Sequence, residues 1–409
     1  MSEKVADTNF VSRRSRNIPS FIAMDVLEKA EKLERKGEDI VHLELGEPDF
    51  DTPLPVEEAG IKALKAKKTH YTNSLGIYKL REAIANRYLE RYGVNLDPEQ
   101  IIITSGSSPA LLLIFSALLN PGEEIIISDP HYSCYPNMIE SCGGKPIKVP
   151  ITEKEGFRYQ AQRFAAEISD KTKGILINSP GNPTGVVSPS EDLQRLASLT
   201  SISNSNRDNN QPGSAIKGKQ VPYLISDEIY HGLVYEGQAS SILEFTDRAF
   251  VINGFSKLYA MTGWRLGYAI LPPEFVRPIQ KMQQNFFICA SSFAQEAAVT
   301  ALECEECQRQ VEEMKRTYNK RRKALLKGLK EIGFTIKVEP TGAFYVLANA
   351  KRFAEDSYKL AFEILEEAGV AVTPGIDFGE KAEGFLRFSY ANSLENISEA
   401  LNRLERYLK

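Results

Sequence analysis

The sequence has little that would anchor a protein in a membrane or hold it together outside the cell. No run of roughly 18 consecutive apolar residues, the length that crosses a bilayer as a helix, occurs in the 409 residues, and the N-terminal stretch 1–21 lacks the apolar stretch of a secretory signal. Its five cysteines are an odd number without the spacing of a disulfide framework. We therefore expect reduced thiols and an intracellular, cytoplasmic protein.

Other absences narrow the class of partner and cofactor. The net charge of −4 gives no general attraction to nucleic acid or to acidic membranes. No G-x-G-x-x-G follows a predicted strand, which argues against a NAD-binding enzyme. The pair Cys304 and Cys307 has neither a second cysteine pair nor a histidine at ligand spacing. We interpret this pair as part of an acidic helix surface and expect no metal site.

Short runs rich in Ile and Val alternate with amphipathic stretches along the first two thirds of the chain. The predicted strands are 101–103, 124–128, 146–149, 174–178, 223–226, 250–252 and 268–271. Helical patterns lie between several of them, for example at 109–119 and 190–199. Strands that are apolar on both faces, with helices between them, predict an α/β fold with a mainly parallel sheet.

The pattern changes after about residue 293. Long charged helical segments at 295–331, 357–368 and 394–408 surround short strands at 344–347 and 385–388, which predicts a second, α+β domain. We expect an N-terminal arm and helix (1–48, helix 21–36) packing with the small domain, a large cofactor-binding domain (49–295) and a small C-terminal domain (296–409). The polar segment 201–219 is predicted to be a surface loop.

Polar residues follow the predicted strands where each strand ends. They comprise a small-residue turn at 104–108, Tyr132, Asn182, Asp227 and Lys257. Each alone is more typical of a helix cap, core packing or a turn. Because the carboxyl ends of parallel strands meet at one edge of a sheet, we expect them to lie together. A phosphorylated, planar, cationic ring bound by a lysine would use all of them, and pyridoxal phosphate is such a ligand.

The stretch "GFSKLYAMTGWRLG", residues 254–267, resembles the cofactor-lysine signature of the class I/II pyridoxal-phosphate-dependent aminotransferases, which are aspartate aminotransferase-like and of fold type I. The segments "LGEPDF", "YTNSLGIYKLREAI", "TSGSSPAL", "DPHYSCYP", "NSPGNPTG", "SDEIY" and "LRFSYANS" continue the resemblance in the family's order. The resemblance implies a large domain with a mainly parallel seven-stranded sheet and a smaller α+β domain built from both termini. It also implies a homodimer with shared active sites.

The implied reaction is transfer of an amino group from an L-amino acid to a 2-oxo acid, by a ping-pong mechanism through pyridoxamine phosphate. By resemblance, Lys257 forms the Schiff base and later moves the α-proton. Asp227 keeps the ring nitrogen protonated, and Tyr230 and Asn182 donate to the ring's 3′ oxygen. Tyr132 stacks on the ring.

The remaining implied roles concern the phosphate and the substrate. The phosphate ligands are Gly106, Ser107, Ser108, Ser256 and Arg265, with Tyr71 reaching the phosphate from the partner subunit. Arg387 binds the substrate α-carboxylate, assisted by Gly46 and Asn182. The sequence departs from many relatives at Gly254, where they carry Ser or Thr, so a phosphate contact there can come only from the backbone.

Substrate choice and reaction class stay open at this point. Ser108 stands where some aspartate-specific relatives carry a lysine, and 285–295 contains no arginine. The segment "NIPSFIAMD", residues 17–25, is apolar between its two end residues apart from Ser20. These absences favour an uncharged, aromatic or aliphatic donor, although Arg13, Arg14 and Arg16 lie just upstream; 2-oxoglutarate is the family's usual acceptor. The alternatives are a carbon–sulfur β-lyase or a cyclopropane-forming synthase on the same cofactor site, and a cofactor-sensing transcription regulator. The short stretch before the first helix disfavours the regulator, which would need a DNA-binding domain.

Overall fold

The computed structural model describes residues 10–201 and 221–409. Most of the predicted polar loop, 202–219, lies outside the described residues. The helices are α1 Arg13–Asn17, α2 Ile22–Glu34, α3 Leu54–Lys65, α4 Tyr78–Tyr92, α5 Ser107–Leu118, α6 Cys134–Ser141, α7 Ala161–Ala166, α8 Ser190–Ala197, α9 Pro273–Phe286, α10 Ser292–Glu303, α11 Glu305–Ile332, α12 Ser357–Glu363 and α13 Leu394–Leu408. The strands are β1 Val41–His42, β2 Ile101–Thr104, β3 Glu124–Asp129, β4 Lys145–Pro150, β5 Thr172–Asn178, β6 Tyr223–Asp227, β7 Ala249–Gly254, β8 Gly267–Ile270, β9 Tyr345–Asn349, β10 Val370–Ala371, β11 Thr373–Pro374 and β12 Phe385–Ser389.

All seven predicted apolar runs form one seven-stranded sheet, in the order β2-β8-β7-β6-β5-β3-β4. Only β8 runs antiparallel to its neighbours, β2 and β7; the other pairs are parallel. The predicted α/β fold with a mainly parallel seven-stranded sheet is therefore confirmed.

Both faces of this sheet are buried, which explains why its strands show no alternation of polar and apolar residues. In β3, Ile125 and Ile127 pack with Phe115 of α5 on one face. Ile126, between them, belongs to the core on the opposite face together with Phe164 of α7. Successive side chains of a strand point to opposite faces, so a continuous apolar run is needed to fill both cores.

A smaller layer brings the two ends of the chain together. Strands β11, β12 and β9 form an antiparallel sheet, and β1 pairs in parallel with β10. Helix α2 packs beside these strands through Val26 and Ala30, which share a small core with Leu365 and Ala371. The exact domain boundaries at 48 and 295 stay a prediction.

The prediction of one helical segment over 295–331 is wrong near its start. Helix α10 ends at Glu303 and α11 begins at Glu305, because Cys304 between them is extended (φ −82°, ψ 120°). Helix α10 packs on α3 and α4, whereas α11 packs chiefly on α13. No glycine or proline at the break indicates it in the sequence. Cys307 is fully buried, which corrects its assignment to a helix surface.

Neither a helix fit to cross a membrane nor a cluster of metal ligands occurs in the described ranges. None of their helices combines the length and the apolar character needed to cross a bilayer. No group of three or more His, Cys, Asp or Glu side chains in these ranges could hold a metal ion. Helix α1, which carries Arg13, Arg14 and Arg16, is exposed throughout.

Candidate active site

A cavity of about 500 Å³ lies at the carboxyl ends of the sheet strands. One wall, which we call the rim, consists of residues that end or follow these strands: Ser107, Ser108, Tyr132, Asn178, Asn182, Asp227, Tyr230, Ser256, Lys257 and Arg265. The opposite wall, which we call the arginine wall, consists of Glu44, Gly46, Tyr345 and Arg387. The parallel strands all end at the same edge of the sheet, so the rim side chains lie together there, as predicted.

Lys257 lies three residues beyond the end of β7. Its Nζ donates to the carbonyl of Gly46 at 2.6 Å, and no carboxylate in the described ranges forms an ion pair with it. Burial disfavours the ammonium form and lowers the pKa of Lys257 to about 8, although Glu47 opposes the shift. The amine can therefore lose its proton near neutral pH, as a nucleophile or a base must.

Asp227, the last residue of β6, is buried at the bottom of the cavity. Its Oδ2 accepts from the Tyr135 hydroxyl at 2.7 Å and its Oδ1 accepts from the Ile229 amide at 3.1 Å. Burial raises the pKa of Asp227 to about 6, and these hydrogen bonds oppose the rise. Sequence reasoning missed Tyr135, although its place one helical turn after Tyr132 could have indicated that both rings face the same site.

Hydrogen bonds through the side chains of Asn178 and Asn182 connect the rim to the arginine wall. The Asn178 side chain donates from Nδ2 to the carbonyl of Asp227 at 2.9 Å, and its Oδ1 accepts from the amide of Asn182 at 2.7 Å. The Oδ1 of Asn182 in turn accepts from Nη1 of Arg387 at 3.0 Å. The position of Arg387 is therefore tied to the strand that carries Asp227.

Arg387 projects from β12 and is only 2% exposed. Its Nη2 donates to the Thr373 hydroxyl at 3.1 Å and to the carbonyl of Glu44. Its guanidinium carbon lies 4.3 Å from the ring centroid of Tyr345 and 4.8 Å from that of Phe378. No carboxylate in the described ranges pairs with it, and its Nε has no hydrogen-bond partner there. A buried guanidinium without a counter-ion is a ready site for an anion.

Two tyrosines close the middle of the cavity. The hydroxyls of Tyr230 and Tyr345 are 2.8 Å apart. Gly46 passes so close to this pair that a Cβ atom built on it would lie 2.1 Å from the Tyr345 hydroxyl. Only glycine therefore fits there, and its bare backbone offers Lys257 a carbonyl.

The other end of the rim suits an anion. Helix α5 begins at Ser107, so its first amides have no partner within the helix. Arg265, with a left-handed backbone (φ 51°), donates to the carbonyl of Thr262 at 3.0 Å. A Cβ on Gly106 would lie 2.6 Å from Nη2 of Arg265, so this glycine makes room for the guanidinium. At Gly254, a Cβ would lie 3.1 Å from the Cα of Gly267, which leaves little space for the Ser or Thr of many relatives.

The cavity mouth is apolar. Helix α2 and the residue before it contribute Phe21, Met24 and Leu27, and α5 contributes Leu111. The Phe21 ring meets the edge of Tyr132 at a centroid distance of 6.0 Å.

Of the residues predicted for the site, two do not line the cavity. Gly106 lies behind Arg265, and Tyr71 is 80% exposed on the protein surface. The other predicted residues come together there: Gly46, Ser107, Ser108, Tyr132, Asn182, Asp227, Tyr230, Ser256, Lys257, Arg265 and Arg387. Tyr135, Asn178 and Tyr345 also line it and were not predicted.

Comparisons with known proteins agree with this geometry. A family model described as "Aminotransferase class I and II" matches residues 38–205 and 215–404. The chain is 43% identical, over 97% of its length and 99% of the relative's, to the (5-formylfuran-3-yl)methyl phosphate transaminase of Methanocaldococcus jannaschii. It is 40% identical to the aspartate/prephenate aminotransferase of Thermus thermophilus over 97% and 98% of the two chains. A solved structure of the Thermus thermophilus aspartate aminotransferase with maleate superposes with a TM-score of 0.89 at 39% identity, covering 97% of this chain and 99% of that one.

Proposed function

The chain belongs to the class I and II aminotransferases, and we propose that its cavity binds pyridoxal phosphate and moves an amino group from an uncharged L-amino acid to a 2-oxo acid or related carbonyl compound. The observation that carries the proposal is the meeting, in one cavity, of a lysine, a buried aspartate and a buried arginine, none of them in an ion pair within the described ranges. Such an arrangement costs folding free energy unless a ligand uses it.

The residues present fit the cofactor in three places. Arg265, the start of α5 and the hydroxyls of Ser107, Ser108 and Ser256 form an anion site suited to its phosphate. Lys257 offers an amine that is easily neutral, suited to its aldehyde. Asp227 offers a buried carboxylate, suited to its ring nitrogen. When bound, the cofactor would supply an electron acceptor for the substrate's α-carbanion and would carry the amino group between the two half-reactions.

The chain's own residues would do the rest. The Lys257 amine, with a pKa of about 8, takes the α-proton at Nζ and gives it up again within the same half-reaction. In the second half-reaction a proton moves the opposite way through the same Nζ. Asp227 holds positive charge at the ring nitrogen by its own negative charge. Tyr230 and Asn182 place hydrogen-bond donors at the cavity centre. Tyr132 covers one side of it, beside Phe21.

Arg387 would bind the substrate α-carboxylate through guanidinium N–H groups that no protein acceptor in the described ranges uses, Nε among them. Its fork is held from behind by Asn182, Thr373 and the carbonyl of Glu44, so the guanidinium is oriented before substrate arrives. A carboxylate fixed in this way also fixes the direction of the Cα–H bond, which proton removal requires.

The donor side chain would lie against the apolar mouth. Lys257, Arg265 and Arg387 are the cations lining the cavity, and all three have roles above. Within the described ranges no further cation lines it to receive a distal carboxylate. Phe21, Met24 and Leu27 instead favour an aliphatic or aromatic side chain.

The test is a matrix of donors and acceptors. Phenylalanine, tyrosine, leucine and alanine are compared with aspartate and glutamate, each against 2-oxoglutarate, pyruvate, oxaloacetate and (5-formylfuran-3-yl)methyl phosphate. The last acceptor is included because the relative that is 43% identical to this chain is named as its transaminase. Uncharged donors should give the highest kcat/KM. Preference for aspartate would refute the donor assignment, and absence of amino transfer from every donor to every acceptor would refute the function.

A second copy of the chain would complete the site. Tyr71 is too exposed to act within its own subunit, and an 80% exposed tyrosine fits a contact with a partner. We infer a homodimer in which Tyr71 reaches the partner's phosphate site. Mixing an inactive Lys257→Ala protein with an inactive Tyr71 variant should restore one intact site per heterodimer. No recovery after subunit exchange would place Tyr71 outside the partner's site.

A further inference from the structure

A histidine outside the cavity bridges two acidic side chains behind the arginine wall. His42, the last residue of β1, places Nδ1 at 2.8 Å from Oε1 of Glu44 and Nε2 at 3.1 Å from Oε1 of Glu34. The Glu44 side chain is completely buried, whereas that of Glu34 is 42% exposed. The imidazole therefore connects a buried carboxylate to the protein surface.

Glu44 also holds Arg387, through its backbone. The carbonyl of Glu44 accepts from Nη2 of Arg387 and, at 3.1 Å, from the Thr373 hydroxyl. The preceding residue, Leu43, is fixed by hydrogen bonds to Ala371 and from Ser389. The main-chain carbonyl of Glu44 thus orients Arg387, and the side chain of Glu44 fixes Glu44 itself.

Within the described ranges, His42 is the one hydrogen-bond partner of the Glu44 side chain. The other carboxylate oxygen of Glu44, Oε2, has no hydrogen-bond partner in the described ranges. The hydrogen bond to Glu44, assisted by Glu34, raises the pKa of His42 to about 9. The ring is then an imidazolium at neutral pH, and both its nitrogens donate. Without it, Glu44 would be a buried charge with no counter-ion, which a protein relieves by moving the charged residue.

The same histidine fixes helix α2. Glu34 is the last residue of that helix, whose other end carries Met24 and Leu27 to the cavity mouth. The amide of Ile22, the first residue of α2, donates to Asp377 at 2.9 Å. Helix α2 is therefore held at both ends, and the His42 contact ties its end to the strand that leads to Glu44.

We propose that His42 is a positioning residue for substrate binding: by holding Glu44 it fixes the carbonyl that orients the Arg387 fork. The inference rests on the proposed role of Arg387 as the α-carboxylate site. His42 touches neither substrate nor cofactor, so its removal should change binding of carboxylates more than the chemical step.

The first measurement uses His42→Ala in the holoenzyme. Binding of 3-phenylpropionate, a carboxylate that cannot react, is measured by calorimetry, and KM and kcat are measured for one donor. Loss of a charge-assisted hydrogen bond predicts about a tenfold weaker Kd and a similar rise in KM. We expect kcat to change less than about threefold and the cofactor absorbance to stay unchanged. If the variant does not fold, His42→Gln, which keeps one N–H donor, replaces it, with a smaller rise in Kd expected.

The decisive comparison is a double variant. Glu44→Gln removes the buried charge that His42 balances, so His42→Ala/Glu44→Gln should bind 3-phenylpropionate more tightly than His42→Ala alone. Glu34→Ala, which removes the more exposed partner, should raise Kd by no more than about threefold. A purely structural histidine would lower the Tm without this recovery. Unchanged Kd in His42→Ala, no recovery in the double variant, or a larger effect of Glu34→Ala would each overturn the proposal.

Arg387→Lys, measured beside these variants, separates this inference from the proposed function. If it does not weaken 3-phenylpropionate binding, the assigned role of Arg387 fails. If it weakens binding and His42→Ala does not, only the positioning role of His42 fails.

Discussion

The rim carries Lys257 and Asp227, whose pKa values of about 8 and about 6 lie close to neutral pH, whereas the arginine wall carries Arg387, whose charge is permanent. The rim groups stand on the large sheet, and Arg387 stands on a short strand of the smaller layer. The difference separates two tasks. Under the proposed function, the groups that gain and lose protons lie where burial can shift their pKa values. The groups that bind anions, Arg387 on the arginine wall and Arg265 on the rim, are guanidiniums.

Removing the amine from the rim should give the largest effect. Lys257→Ala should lower kcat by roughly 10⁴-fold or more, because both nucleophile and base are lost. The exposed Lys330→Ala serves as control and should remain fully active. Borohydride reduction of the wild type, followed by peptide mapping, should find the cofactor on Lys257. Cofactor on another lysine would contradict the assignment of Lys257 as the reactive amine of the rim.

The next largest effect is expected at Asp227, and its acidic neighbour Glu228 serves as the control. Asp227→Asn should lower kcat by about 100-fold, or ~3 kcal/mol, because charge at the ring nitrogen is lost. Its neighbour Glu228 is equally buried but accepts from Ser241 and Ile242, away from the cavity. Glu228→Gln should therefore lower stability by about 1–2 kcal/mol and leave kcat nearly normal. Equal losses of kcat in both variants would show that burial, not placement, makes Asp227 important.

Two buried arginines, one on the arginine wall and one outside the cavity, test whether Arg387 binds the α-carboxylate. Arg387→Lys keeps the charge and loses the fork, so kcat/KM should fall by about 10-fold to 100-fold, and by a similar factor for every donor. Arg322, equally buried on α11, pairs with Glu236 instead. Arg322→Lys should lower the Tm without changing donor preference. A loss in Arg387→Lys confined to acidic donors would mean that this arginine binds the side chain.

The smallest effect concerns the tuning of Asp227. Its pKa in the folded protein, about 6, lies above the unfolded value of about 3.9. Its contribution to the stability of cofactor-free protein is therefore present at about pH 4 and is lost as the pH rises through 6. Because the Tyr135 hydroxyl lowers this pKa, Tyr135→Phe should move the loss to higher pH, by about one unit or less. Urea unfolding across this range measures the shift, which should vanish in an Asp227→Asn background. A shift to lower pH would contradict the assignment.

The rim was predictable because most of its residues lie at the end of a strand or a few residues beyond it. An apolar run identifies the strand, and the first polar residues after it must lie at the sheet edge, as Asp227 and Lys257 do. Their chemical roles remain a prediction until tested. The strands were equally predictable, since both faces of the sheet are buried.

The arginine wall was predictable only in part. The resemblance indicated Arg387 and Gly46, but no local pattern shows that residues 44, 345 and 373 would meet them, because the contacts join both ends of the chain. The pairing of β1 with β10 produces that meeting, and these strands are too short to stand out as apolar runs. The break at Cys304 was missed for a similar reason, since it follows from packing of α10 and α11 on different neighbours.

Gly46 sets a limit on how this enzyme could be redesigned. Gly46 is not among the residues with positive φ, so the obstacle to a side chain is Tyr345. A Cβ would lie 2.1 Å from its hydroxyl oxygen and 3.2 Å from its Cζ. A mutant library for new donors that varies position 46 alone would return non-functional clones. Tyr345→Phe removes the obstructing oxygen and leaves the ring carbon at 3.2 Å as the nearest atom, which favours a small side chain at position 46. These two sites are therefore best varied together.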